Sequence, residues 1–456
     1  MCSTRTQRSG GTGGLALVLL FPRVGGRTES GGSPVVAVES VRHAVPEIEI
    51  AIRAYCDGIL SGAGAFISHE LPGPTDPALV DFSSVASGSF MITNLRGSTD
   101  IGTGRASAGH DGDYRQALIA FKSSGTSGTS KTVLYASATM LACASAIADR
   151  LRLGPTVESL ALVPHEFAFG LSIIHSHLLA DAPVTFQDFE DGRTAVDAIL
   201  RHKRIADARG ASRTLIYLLP HQAQAISLAA ADVETPMPEV HFAIAGGSLH
   251  QAVSNRLSAT FPGSTLSNMY GQAELGPRVS TWTGELSRFQ EGMMGEPLPG
   301  VLLIPKRVED DYLLWVRSPY RMLRYLAPND AAASSVVGGS AWDWPTGDIV
   351  HSDDAGNLAL VGRQSQFVNV VGVRILLADI SRAVASCSAV EHYRITTAPS
   401  PTLGRIPVVE VSSRDGVSDV LRQAVRSVLN ERFGAISRTF KVVTAERITP
   451  TPSGKV

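Results

Sequence analysis

Short apolar runs alternate with helical stretches through the middle of this chain: Leu160 to Val163, Val184 to Phe186, Thr214 to Leu219, Val240 to Ala245 and Thr265 to Met269. Runs this short and this apolar read as strands, and the stretches between them have the length of crossover helices. Ser137 is placed to cap a further helix, rich in Ala, Leu, Met and Ile, that reaches about Leu151. Alternation of this kind predicts α/β architecture with mainly parallel strands and with ligands held at strand ends.

Past Gly300 the pattern turns β-rich, with Val301 to Pro305, Tyr312 to Val316, Ile349 to His351 and Leu358 to Val361, and with a small-residue loop from Ala327 to Ser340. From Gln364 the order becomes strand, helix (Leu377 to Ser386), strand (Val390 to Thr396), strand (Val408 to Ser412) and helix (Val417 to Phe433). That is the inventory of a separate small α+β domain. The expected plan is a poorly ordered leader over 1–33, a large α/β domain over 34–363 that includes a β-rich subdomain, and a small C-terminal domain over 364–456.

A net charge of −2 and a pI near 6.6 give no basic footprint for nucleic acid or an anionic membrane. Cys2, Cys56, Cys143 and Cys387 show neither CxxC pairing nor zinc-ligand spacing, and read as reduced, mostly buried thiols of a cytoplasmic protein. Arg5 and Arg8 ahead of the run Leu15 to Phe21 faintly imitate a signal peptide. No A-x-A site follows, and the run is too short to span a bilayer, so it reads as a strand or part of the leader.

One stretch carries chemistry by composition. In Phe121 to Tyr135, FKSSGTSGTSKTVLY, Gly125 and Gly128 let backbone N–H groups approach an anion. Ser123, Ser124, Thr126, Ser127, Thr129 and Ser130 add hydroxyls, and Lys131 adds a point charge. The spacing excludes a Walker A loop. Taken alone, the stretch is either a polyphosphate loop or a solvated Ser/Gly linker.

The motifs behind it extend the pattern: VPHEFAFGL at 163–171 with HLLADAPV after it, AGGS at 245–248, YGQAE at 270–274, TGD at 346–348, DDAGNLALVGR at 353–363, FVNVVGVRI at 367–375, and a terminal TPTPSGKV. In this order they resemble the adenylate-forming superfamily, which includes acyl-CoA and aryl-CoA synthetases, nonribosomal-peptide adenylation domains and firefly luciferase. The resemblance covers about three quarters of the chain. It implies that Ser123, Ser124, Gly125, Thr126, Ser127, Gly128, Thr129 and Lys131 hold the β and γ phosphates of ATP. Adenine would lie on Gly246, Gly247 and Ser248 and stack on Tyr270, next to Gly271. Asp348 would bind the ribose hydroxyls, Arg363 ribose or phosphate, and Glu274 the Mg²⁺. Glu166, Phe167, Gly170, Gly246, Met269 and Ala273 would wall the acid pocket, Ser365 would be the hinge, and Lys455 the catalytic lysine. Glu166 has two readings, a helix-capping acid or a contact for an amine on the substrate. The chain departs from the family pattern at Ser130 (usually Pro), Asp181 (Gly), Ala273 (Thr), Asn369 (Lys) and Thr449 (Pro).

The implied reaction is attack of a small carboxylic acid on the α-phosphorus of Mg·ATP, release of pyrophosphate, and transfer of the acyl group to the thiol of CoA or of an acyl carrier protein's phosphopantetheine. The small domain would rotate between the two steps. Two alternatives stand beside it: capture of the adenylate by an amine, or activation of an unusual oxyacid; and a catalytically impaired nucleotide-binding scaffold. No nucleic-acid or membrane partner is expected, and the chain is expected to be a monomer or homodimer.

Overall fold

The computed structural model describes Phe121 and residues 131–448 apart from Glu166, 235–236, 309–310, 327–342, 355, 401 and 414–415; the backbone alone is described for short strands before residue 123 and at Thr132, 136–138, Arg324 and Leu326. β1 (Leu118–Lys122) pairs antiparallel with β2 (Thr132–Ala136), and β2 runs directly into α1 (Ser137–Leu151). There follow β3 (Val157–Ala161), α2 (Ala168–Ala180), β4 (Val184–Phe186), α3 (Gly192–Ala208), β5 (Arg213–Leu218), α4 (Pro220–Ala231), β6 (His241–Ala245), α5 (Gln251–Thr260) and β7 (Thr265–Tyr270). The five strands β3 to β7 are parallel and stand in the order β4-β3-β5-β6-β7, as the alternation of apolar runs predicts. On the far side of β4 the backbone strands Ser3–Gln7 and Ala16–Leu20 continue the sheet.

β3 begins three residues ahead of its apolar run, because buried polar side chains there find partners. Glu158 is 6% exposed and pairs with Arg209 at 3.1 Å, and Ser159 Oγ lies 2.9 Å from His177 Nε2. β8 (Ser280–Glu285), antiparallel to β7, was not legible in the sequence, since STWTGE carries no apolar run.

Side chains alternate across the sheet with period two. Leu215 and Tyr217 of β5 face one core with Ala161, Ala243, Ala245 and Met269, while Ile216 and Leu218 face the other with Leu160, Phe242, Ile244 and Leu266. Residues of α1 and α2 fill the first core, and residues of α3, α4 and α5 the second. The crossovers after β3 and after β5 therefore leave on opposite faces, which opens the sheet at the carboxyl ends of these two strands.

α2 ends at Asp181 with φ 52° and ψ 34°, in the left-handed region. Glycine is the usual residue for that conformation, and Asp is among the few others that tolerate it, so the departure at 181 keeps the cap.

β9 (Leu302–Val308), β10 (Asp311–Arg317), β12 (Asp343–Ser352) and β13 (Leu358–Arg363) make an antiparallel sheet in the order β9-β10-β12-β13, while β11 (Arg324–Leu326) leaves it to pair with β2. The last stretch holds β14 (Phe367–Val370), β15 (Val373–Leu376), α6 (Leu377–Ser386), β16 (His392–Ser400), β17 (Gly404–Ser412), α7 (Asp419–Phe433) and β18 (Lys441–Thr444). These elements share a core of their own around Val368, Ile380, Val384, Val409, Val425 and Phe440. β18, parallel to β17, is an element beyond the expected inventory.

Cys143 and Cys387 are buried free thiols, and burial raises the pKa of Cys143 to about 12. Cys2, Cys56 and the 327–340 loop lie outside the described residues. Among the described residues no helix is long and apolar enough to cross a membrane.

Candidate active site

β7 ends at Tyr270, and the chain leaves the sheet through Gly271, Gln272, Ala273 and Glu274. Gly271 is required by space, because a Cβ there would lie 2.3 Å from the carbonyl oxygen of Pro277. The Tyr270 hydroxyl donates to Asp348 Oδ2 at 2.6 Å, and Gln272 Nε2 donates to the same oxygen at 2.9 Å. Arg363 Nε donates to Asp348 Oδ1 at 2.9 Å. The last contact is set by the register of β12 and β13, in which Asp348 and Arg363 are opposite partners. Thr346 shapes the approach: its hydroxyl donates to the Leu314 carbonyl at 2.7 Å and accepts from the Asp348 N–H at 3.0 Å. Asp348 is 2% exposed. A carboxylate so buried is stable only with several donors, and here it has three side chains. Burial, and then the charge of Asp348, push the Tyr270 pKa well above its usual value, which keeps the hydroxyl a donor.

Glu274 points the other way. Its Oε1 accepts from the Tyr325 hydroxyl at 2.7 Å. β11 sets Tyr325 opposite Val133 of β2, and Lys131 Nζ lies 4.7 Å from the centre of the Tyr325 ring. One tyrosine thus bridges the end of the glycine-rich loop and the acid of YGQAE. Ala273 sits in a turn pinned from below: the buried Tyr135 hydroxyl donates to the Ala273 carbonyl and accepts from the Gly276 N–H at 2.9 Å.

The other expected walls come from α2 and β6. Phe167, 8% exposed, is the N-cap of α2, and a Cβ at Gly170 would lie 2.1 Å from the Pro164 carbonyl oxygen. Gly246 has φ +91°, a turn that glycine alone makes without strain. Gly247, Ser248, Met269 and Tyr270 share a small pocket of about 40 Å³ with Ala378 and Arg382 of α6. Arg382 Nε donates to Glu291 Oε1 at 2.8 Å, and His250 Nδ1 lies 2.9 Å from the same oxygen. Burial alone would raise the Glu291 pKa, but hydrogen bonds from His250 and Arg382 hold it at about 2. Ser365 is exposed in the turn Gln364–Gln366, directly after Arg363.

Tyr270, Gly271, Asp348 and Arg363 are therefore brought together at one end of the sheet, and Lys131 joins Glu274 through Tyr325. Ser123, Ser124, Gly125, Thr126, Ser127, Gly128, Thr129, Glu166 and Lys455 lie outside the described residues. The sequence reading missed Gln272, Tyr325, Arg278 and Arg382. Gln272 occupies the variable position of its motif, and Tyr325 and Arg382 reach the site through strand register and helix packing, which no local pattern announces. Arg278 had a signal: it is the one charge in the apolar-flanked stretch LGPRVST.

Among the described residues there is no group of three or more His, Cys, Asp or Glu side chains able to hold a metal by themselves. Glu274, whose side-chain partner among the described residues is the Tyr325 hydroxyl, suits a Mg²⁺ ion held by one carboxylate and substrate phosphates.

In this chain, which joins a parallel sheet and an antiparallel sheet beside a ring of donors on a buried aspartate, residues 110–326 match the family model described as AMP-binding enzyme. Peroxisomal OPC-8:0-CoA ligase 1 of Arabidopsis thaliana is 23% identical over 351 residues, 73% of this chain and 61% of that protein. A 2-succinylbenzoate–CoA ligase of Geobacillus sp. strain WCH70 is 31% identical over 160 residues, 34% of this chain and 32% of that protein. The chain thus spans less than two thirds of these curated relatives. Among solved structures, the o-succinylbenzoate CoA synthetase of Bacillus subtilis with its acyl-adenylate intermediate aligns at a TM-score of 0.66 and 18% identity, covering 93% of this chain and 87% of that one. An anthranilate CoA ligase in complex with anthranoyl-AMP aligns at 0.69 and 16%, covering 93% and 86%. At these identities the likeness shows the fold.

Proposed function

We propose that the chain is an AMP-forming acid–thiol ligase. A carboxylate oxygen of the substrate attacks the α-phosphorus of ATP, and the bond from that phosphorus to pyrophosphate breaks. A thiolate then attacks the acyl carbon, and the bond to AMP breaks. The observation that carries this reading is the buried Asp348 with Tyr270, Gln272 and Arg363 on its two oxygens. Two carboxylate oxygens at that spacing suit a ribose cis-diol, and the flanking aromatic ring suits a base. The relatives' names, all CoA ligases in the two cases quoted, favour CoA over a carrier protein as the acceptor.

In this reading Tyr270 stacks on adenine laid against Gly246, Gly247 and Ser248, and Asp348 and Arg363 orient the ribose. Lys131 and residues 123–129 hold the outer phosphates. Glu274 would hold Mg²⁺, which when bound would neutralise charge on the phosphates. Phe167, Gly170, Met269 and Ala273 wall the acid pocket, with Glu166 at its rim. Lys455 stabilises the charge that grows on the α-phosphate oxygens, a preorganised electrostatic role. Residues 364–456 form a unit that turns about Ser365 and takes Lys455 away before the thiol enters. In this reading the enzyme is cytoplasmic and a monomer or homodimer, with a carrier protein as the alternative acceptor.

Lys455→Ala is expected to lower acid-dependent AMP formation by about a thousandfold, in keeping with loss of one transition-state contact, while ATP affinity measured by calorimetry changes by less than about threefold. A Lys455→Ala enzyme with wild-type AMP formation would remove the lysine from the mechanism.

A further inference from the structure

Two buried polar groups lie at the first core, a guanidinium with no carboxylate beside it and a hydroxyl with no hydrogen bond among the described residues. Arg278, just past the YGQAE turn, is 3% exposed. Its Nη1 donates to the Pro277 carbonyl at 2.7 Å, its Nε lies 3.2 Å from Met269 Sδ, and its Cζ lies 4.3 Å from the centre of the Phe169 ring. Among the described residues no carboxylate pairs with it, and only burial, Tyr217 and Cys143 bear on its charge. Tyr217 also stands against Phe169, with ring centroids 6.1 Å apart in an edge-to-face arrangement, and it is close enough to Arg278 to bear on its charge. The Tyr217 hydroxyl is fully buried and has no hydrogen-bond partner among the described residues. A buried guanidinium without a carboxylate and a buried hydroxyl without a hydrogen bond among the described residues are both standing costs to the fold. Such costs persist where a ligand supplies the missing partner.

Their place in the fold says which ligand. Tyr217 lies near the carboxyl end of β5, beside β3, where the crossovers part to opposite faces. Phe169 belongs to the first turn of α2, and Met269 is the penultimate residue of β7. These are the elements that wall the acid pocket in the function proposed above, on which this inference rests. We propose that Arg278 and Tyr217 receive a second anionic group on the acid substrate, so that the enzyme selects dicarboxylic acids over monocarboxylic ones. The planar guanidinium offers paired N–H donors to a carboxylate, and the phenol adds another. The pair is assigned to the carboxylate far from the reaction, because a bidentate clamp on the reacting carboxylate would tie up the lone pairs that attack phosphorus. Arg278 is a specificity residue in this scheme and makes no contact with the reacting atoms.

The test is calorimetric titration of the full chain, with ATP–pyrophosphate exchange run in parallel, using matched pairs of acids: succinate and butyrate, adipate and hexanoate, phthalate and benzoate. At least one diacid is expected to bind ten or more times tighter than its monoacid. Arg278→Met is expected to erase that preference and leave monoacid binding unchanged, with a melting temperature no lower than wild type. Tyr217→Phe is expected to weaken diacid binding two- to fivefold; it and Arg278→Lys carry the comparison if Arg278→Met fails to fold. No diacid preference in the wild type, or a preference that survives both Arg278→Met and Tyr217→Phe, overturns the proposal. Exchange driven by monoacids alone overturns it too, and leaves the acid-activating reading standing. Arg278-dependent diacid binding without exchange for any acid supports the anion site and sinks the acid-activating reading instead.

Discussion

Asp348→Ala is expected to lower kcat/KM for ATP by about a thousandfold and to destabilise the fold by about 2–3 kcal/mol. The first figure follows from two lost hydrogen bonds between a carboxylate and ribose hydroxyls, each worth ~1.5–3 kcal/mol when one partner is charged. The second follows from what remains behind. Asp348 is 2% exposed, and its removal leaves Arg363, Gln272 and Tyr270 facing a hole with three donors and no acceptor. Breaking a buried pair costs ~3–5 kcal/mol, and the estimate is taken below that range because the Arg363 side chain is 35% exposed and can turn to water. Urea unfolding and exchange kinetics measure the two effects separately. A variant destabilised to this extent that keeps wild-type KM for ATP would mean that Asp348 holds the two sheets together and binds no ribose.

Glu274→Gln is expected to act on chemistry with little effect on stability. The amide oxygen can still accept from Tyr325, so the contact now made at 2.7 Å has a replacement. The lost charge is what matters. A Mg²⁺ ion shared between one carboxylate and phosphate oxygens loses its only protein anion in this scheme, and kcat is expected to fall about a hundredfold or more. The Mg²⁺ concentration for half-maximal rate should rise with it. Tyr325→Phe is the informative companion, since it frees Glu274 without removing the charge. A Mg²⁺ dependence that is identical in wild type and Glu274→Gln would show that the metal is held elsewhere.

The parts of this architecture legible in the sequence were those fixed by local pattern. The five parallel strands were visible as apolar runs, and α6 appeared with the same bounds in sequence and structure. Tyr270, Asp348 and Arg363 were visible because each sits in a short motif whose spacing survives, and the structure brings all three together. What was not legible depends on register and distance. Tyr325 meets Glu274 only because β11 leaves its own sheet for β2. Arg382 meets Glu291 because α6 packs against α5 and β13, a fact of tertiary packing that no window of sequence contains. β8 was missed because its polar and glycine residues carry no apolar run, although it pairs with β7 on one side and with Glu296–Pro297 on the other. The polar start of β3 was missed because Glu158 and Ser159 are buried with partners drawn from distant parts of the chain. The substitution at Ala273 looked like a loss in the sequence. In the structure its turn keeps the backbone hydrogen bonds to Tyr135, so the hydroxyl is gone while the turn is held.

The central claim, that the ring of donors around Asp348 serves an enzyme that joins a carboxylic acid to AMP, is tested most directly by acid-dependent ATP–pyrophosphate exchange on the wild-type chain. Incubated with Mg²⁺, ATP, labelled pyrophosphate and each of a panel of acids, the protein should return label to ATP with at least one acid and return none without acid. Label returned equally with and without acid, or with no acid of the panel while ATP still binds, would contradict it.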